Sequence, residues 1–157
     1  MLFLLLRVTL AMVLISPFNL YAQTTIEHIR GNEGLRLQAY EDTHGFVTIG
    51  YGRNLSTRGI SKAMAELMLK EDIAHCEVKL DTYYSWWRLR REGSQTVLVD
   101  MCINIGFNGL SKFQNMLRSL FNSDYKGAAA HLMDSRYARQ LKGRANRNKQ
   151  LILGDIL

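Results

Sequence analysis

Hydrophobic positions along this chain follow three rhythms in turn. Residues 1–6 and 8–15 are apolar runs separated by Arg7, and they end at Ser16-Pro17. Ile26 and Ile29 stand one turn apart, so the spacing predicts a short helix over residues 26–32, with Thr24 or Thr25 as its N-cap. From Leu35 the period shortens to two. Leu35, Leu37 and Ala39 alternate with Arg36, Gln38 and Tyr40, and Val47 and Ile49 flank Thr48, which predicts two strands. Between them, Asp42-Thr43-His44-Gly45 reads as a turn, since Asp bonds the backbone two residues on and Gly accepts a positive φ. Residues 53–59 fit a last short strand and turn.

Beyond Ser61 the spacing is helical. Ala65, Leu69, Ile73, Cys76 and Leu80 predict a long helix over residues 62–80. Val97, Leu98, Met101, Cys102 and Ile105 predict an apolar helix over 94–105 that Gly106 stops. Phe113, Met116, Leu117, Leu120 and Phe121 mark the next, and Asp124 caps one that runs to Met133. The sum is an α+β fold, mainly α, in which a small hairpin lobe accompanies a larger helical one.

Candidate chemistry is concentrated in residues 33–52, E-G-L-R-L-Q-A-Y-E-D-T-H-G-F-V-T-I-G-Y-G. Glu33 falls where the short helix runs out. The hairpin turn would carry Asp42 and Thr48 back towards it. Two carboxylates and a hydroxyl converging in this way suit glycoside hydrolysis, which needs one protonated carboxyl for the leaving oxygen and one ionised carboxyl to activate water or attack the sugar. A Glu against apolar neighbours and an Asp in a solvated turn would divide those roles.

E-G-L-R-L, D-T-x-G and T-I-G-x-G, at this spacing and without a gap, resemble the phage-type lysozymes of glycoside hydrolase family 24, and weaker similarity continues to Leu151. The resemblance implies a lysozyme-like fold whose small lobe (about residues 33–60) is joined by the long helix to a helical lobe (about 61–157, with the helix 24–32). It implies Glu33 as general acid, Asp42 as the group orienting and activating water, and Thr48 as a hydroxyl holding that water. It also implies inversion at the anomeric carbon, cleavage of the β-1,4 bond between N-acetylmuramic acid and N-acetylglucosamine, and neither metal nor cofactor. Asn104 matches a cleft-lining position. In S-R-Y-x-x-Q-x-x-x-R-A, Arg144 matches an arginine that reaches the catalytic Glu, and Tyr137 stands where a Trp is familiar. Asp72 matches a position that pairs with the residue matching Arg53.

The ends and the charge add compartment and partner. Residues 1–22 read as an export signal cleaved before Gln23, with an uncleaved signal anchor as the rival, leaving residues 23–157 as the lysozyme domain. Either reading sends the domain to the periplasm or cell wall, with membrane contact only through this segment. The net charge of +6 favours an anionic polymer. Peptidoglycan glycan strands are the expected partner of a monomeric enzyme, and nucleic acid is not. Cys76 and Cys102 each sit on the apolar face of a predicted helix, where an isolated Cys is more often a small core hydrophobe, although export makes a disulfide chemically accessible. Tyr83, Tyr84, Trp86 and Trp87 among Arg88, Arg90 and Arg91 read as a helix packing its rings on the core with its arginines solvated. The alternative is rings and arginines that stack on bases or sugar faces. The six basic residues between Arg136 and Lys149, with no acid among them, read alone as a solvated face or a nucleic-acid arm. Two rival functions remain: a lytic transglycosylase, which has no use for Asp42 and Thr48, and a non-catalytic glycan- or nucleic-acid-binding module, which has no use for the set.

Overall fold

The computed structural model describes residues 17–154. The apolar runs on which the export reading rests lie outside them. Among the described residues no helix is long and apolar enough to cross a membrane. The chain divides into two compact units, with the boundary between Ser61 and Lys62.

In the first unit, helix α1 (Pro17–Glu33) precedes strands β1 (Arg36–Glu41), β2 (Val47–Gly50) and β3 (Arg53–Asn54) and the short helix α2 (Leu55–Arg58). The expected helix start is corrected. Thr24 and Thr25 are interior residues of α1, not its cap, and the anticipated cleavage point before Gln23 lies inside the helix. Thr25 tolerates an interior place because its Oγ1 donates to the Tyr21 carbonyl one turn back, at 2.9 Å. α1 falls in the first unit. It stops where Gly34, at φ +67°, donates its N–H to the Arg30 carbonyl at 3.1 Å, a left-handed cap that a side chain would resist.

The sheet is antiparallel in the order β1-β2-β3. Thr48 on the central strand faces Tyr40 of β1 and Asn54 of β3. β1 carries an irregularity between Arg36 and Tyr40, and there the Arg36 guanidinium lies 4.3 Å over the Tyr40 ring. Asn54 closes the sheet onto α2 by accepting from the Thr57 N–H at 2.9 Å, and Ser56 Oγ accepts from the Val47 N–H at 3.0 Å. Leu35 and Leu37, alternating as expected, nevertheless stay exposed.

The second unit holds α3 (Lys62–Tyr83), a 3₁₀ turn at Trp87–Leu89, then α4 (Glu92–Ile105), α5 (Phe107–Leu110), α6 (Gln114–Phe121), α7 (Tyr125–Met133), α8 (Arg136–Gln140) and α9 (Lys142–Leu153). Its core gathers Leu80, Trp87, Leu98, Met101, Leu120 and Ile152, all essentially fully buried. α4 contributes most to that core, as its nearly continuous apolar character requires. Gly93 lets the α9 backbone approach at Leu151, where a Cβ would collide with the carbonyl. Asp124 and Ser135 cap α7 and α8 by accepting from the N–H groups of Gly127 and Ala138.

Two expectations in this unit are corrected. Cys76 and Cys102 are not separate core hydrophobes: they form a disulfide tying α3 to α4, with their Cα atoms 5.9 Å apart. The aromatic stretch is not one helix, since Tyr83 ends α3 and a 3₁₀ turn begins at Trp87. The other rings do pack on the core, Tyr84 and Trp86 partly buried and Trp87 fully so. The Trp87 indole N–H donates to Asp81 at 2.7 Å, and Arg88 pairs with the same carboxylate instead of being simply solvated.

Candidate active site

The turn between β1 and β2 is built around Asp42. Its backbone N–H donates to the Phe46 carbonyl at 2.9 Å, and its own carbonyl accepts from the Gly45 N–H at 3.0 Å. Gly45 takes φ +80° to close the turn. Asp42 Oδ1 then accepts from the His44 N–H at 2.8 Å and the Phe46 N–H at 3.0 Å. These donors, Phe46 first and His44 next, hold the Asp42 carboxyl below the usual carboxylate range, with lesser help from the His44 ring and the Thr48 hydroxyl. Thr48 lies across the hairpin on β2, buried, and its Oγ1 donates to the Phe46 carbonyl at 3.3 Å. Asp42 and Thr48 are thus brought together, as the sequence implied, and Asp42 is kept ionised with one oxygen committed to the turn.

Glu33 is the last residue of α1 and belongs to the same unit. The Arg30 guanidinium, one turn earlier, lies 5.7 Å from the centroid of the Tyr51 ring, which links the end of α1 to the loop between β2 and β3. In that loop Gly52, at φ +72°, leaves room for the carboxyl: a Cβ there would sit 2.8 Å from Glu33 Oε2. Glu33 is exposed.

The remaining candidates belong to the second unit. Asn104 is exposed on the last turn of α4. Arg144 on α9 makes a two-pronged pair with Asp100 of α4, Nε lying 3.1 and 3.2 Å from the two oxygens and one terminal nitrogen 2.6 Å from Oδ1. Asn148 donates to the other oxygen of Asp100 at 2.9 Å. Burial pushes the Asp100 carboxyl up, but the bonds from Arg144 and Asn148 outweigh it and leave it below its ordinary value. Asp100 escaped the sequence reading, although it is the single acid in an otherwise apolar helical run. Tyr137 packs edge-on to Phe113, their centroids 5.9 Å apart. Arg53 donates from Nε to the Gly59 carbonyl at 2.7 Å, within the first unit. Among the described residues no three His, Cys, Asp or Glu side chains cluster as a metal site would.

A family model described as phage lysozyme matches residues 30–150. The chain belongs to the phage lysozyme family. This family's members are lysozyme-type glycoside hydrolases. Among curated relatives, the pre-baseplate central spike protein Gp5 of Enterobacteria phage T4 is 26% identical over 155 residues, covering 81% of this chain. This phage lysozyme domain spans only 27% of that protein's length. The endolysin of Acyrthosiphon pisum secondary endosymbiont phage 1 is 33% identical over 108 residues, covering 67% of this chain and 72% of its own.

Proposed function

We propose that this chain is a muramidase that hydrolyses the β-1,4 bond between N-acetylmuramic acid and N-acetylglucosamine in peptidoglycan, with inversion. One observation carries the reading: a carboxylate kept ionised by two backbone N–H groups sits beside a buried hydroxyl, in the same unit as a helix-terminal Glu for which a left-handed glycine leaves space. Glu33 delivers the proton to the leaving oxygen. Asp42 uses its uncommitted oxygen to orient a water and take its proton, and Thr48 holds that water. Inversion requires about 6.5–9.5 Å between the two carboxyl groups so that water fits. Asn104 is assigned to substrate contact. Arg144, through Asp100, is assigned to holding α9 on α4. The protein works in an oxidising compartment outside the cytoplasm, a location supported by the Cys76–Cys102 disulfide.

The test is Glu33→Gln assayed on purified sacculi, with products read by mass spectrometry. The variant should stay folded and release no new reducing ends, whereas the parent releases them. Retained cleavage by Glu33→Gln would overturn the assignment. Anhydromuramic ends from the parent would point to a transglycosylase, and binding without cleavage to a glycan-binding module.

A further inference from the structure

The second unit carries a row of aromatic rings that the proposed chemistry does not use. Tyr83, at the end of α3, lies 5.1 Å from Phe107 of α5 between centroids, and Phe107 lies 5.5 Å from Tyr84. Tyr84 lies 5.9 Å from Trp86, and Trp86 meets Phe121, the last residue of α6, edge-on at 5.7 Å. The middle of the row packs on the core, but its two ends do not: Tyr83 is 67% exposed and Phe121 56%. Large rings left in water at both ends of a continuous aromatic strip mark a contact surface, since core packing would have covered them.

Charge and shape beside the row narrow the occupant. Lys79 precedes Tyr83 by four residues on α3, and Arg118 precedes Phe121 by three on α6, so a cation shares the helical face with each exposed ring. A pocket of about 200 Å³ adjoins the row at Phe107, and its lining is of mixed charge, with Asp72 as well as His75 and Lys79. The second unit holds fifteen basic against ten acidic residues, which accounts for +5 of the chain's +6. Ring faces suit the C–H faces of pyranoses, and the cations suit the carboxylates borne at intervals on a peptidoglycan strand.

We propose that the row Tyr83–Phe107–Tyr84–Trp86–Phe121 is a second binding track for the peptidoglycan glycan strand, separate from the unit that carries Glu33, Asp42 and Thr48. This rests on the muramidase reading for the identity of the polymer. The track would keep the enzyme on insoluble wall between cleavage events.

The experiment measures pelleting of the full chain with purified sacculi in the Glu33→Gln background, so that the polymer is not consumed. Adding Tyr83→Ala and Phe121→Ala, both exposed positions, should weaken retention about tenfold or more, as truncation of aromatic anchors does at other interfaces. Circular dichroism confirms that the fold is kept. Phe121→Trp, which preserves a ring, should restore most of the retention lost in Phe121→Ala. Unchanged retention in the double variant would overturn the track. So would a loss seen equally on vesicles of phosphatidylglycerol and phosphatidylethanolamine, which would make the strip a membrane contact. If the parent proves unable to cleave sacculi yet binds them through Tyr83 and Phe121, the muramidase reading fails and the track stands.

Discussion

Gly50 and Gly52 form a matched pair that isolates the placement of Glu33. Both take left-handed φ, +68° and +72°, so alanine at either position meets a similar backbone strain of about 1–2 kcal/mol. They differ in what the new methyl group meets. At Gly50 nothing lies within 4 Å, whereas at Gly52 the methyl would stand 2.8 Å from Glu33 Oε2 and 3.3 Å from its carboxyl carbon. Ordinary contact needs about 3.5 Å or more, so the carboxyl must retreat by roughly 0.5–1 Å. A Glu side chain is flexible and exposed here, so the retreat adds little to the stability loss. For catalysis the same displacement is severe, since a shift near 1 Å in a reacting group can cost about 10²-fold. Gly52→Ala should therefore lose at least about tenfold in the release of reducing ends from sacculi, while Gly50→Ala keeps most of its rate. Thermal unfolding followed by circular dichroism should show the two destabilised alike. Equal loss of activity in both variants, or none in Gly52→Ala, would mean that the position of the Glu33 carboxyl does not control the reaction.

Asp100→Asn should destabilise the second unit by about 1–2 kcal/mol at pH 7, between the values for exposed and fully buried pairs, because both partners are about one-third exposed. The folded-state pKa of Asp100 is lowered, so its contribution is complete above the ordinary carboxylate value near 3.9 and disappears as pH falls through the lower folded value. Urea unfolding of parent and variant should accordingly converge at strongly acid pH, and a gap that persists there would refute the pairing. Replacing both Cys76 and Cys102 by Ser opens a loop with a sequence separation of 26 residues. On chain-entropy grounds this should cost about 3.5 kcal/mol, measurable by the same method under non-reducing conditions.

What the sequence disclosed and withheld follows from how local each feature is. Asp42, Gly45 and Phe46 make a turn from bonds spanning at most four residues, so the residue types alone announce it. The helices α3, α4, α6 and α7 are equally legible from apolar residues at helical spacing, whereas the break after Tyr83 and the short helices α5 and α8 are not. The start of α1 was misread because Thr24 and Thr25 look like caps, whereas Thr25 satisfies its hydroxyl one turn back within the helix. Pairing across distance left no local trace. Cys76 reaches Cys102 only because α3 and α4 lie side by side, and Arg144 finds Asp100 forty-four residues away in sequence. Gly52 shows an intermediate case: glycine signals that something approaches, but only the fold names Glu33 as what does.

Almost every buried side chain belongs to the helical unit, whereas in the first unit, among the described residues, only Thr48 is buried. The proposed machinery therefore stands on the part of the chain with the least apolar ballast, and cooperative melting of the helices reports little about it. On gradual heating, inactivation should precede the calorimetric transition, with amide protons of the hairpin exchanging by a low-energy opening while those of α4 wait for global unfolding. Sheet protons as slow as those of α4 would show the two parts to be thermally inseparable.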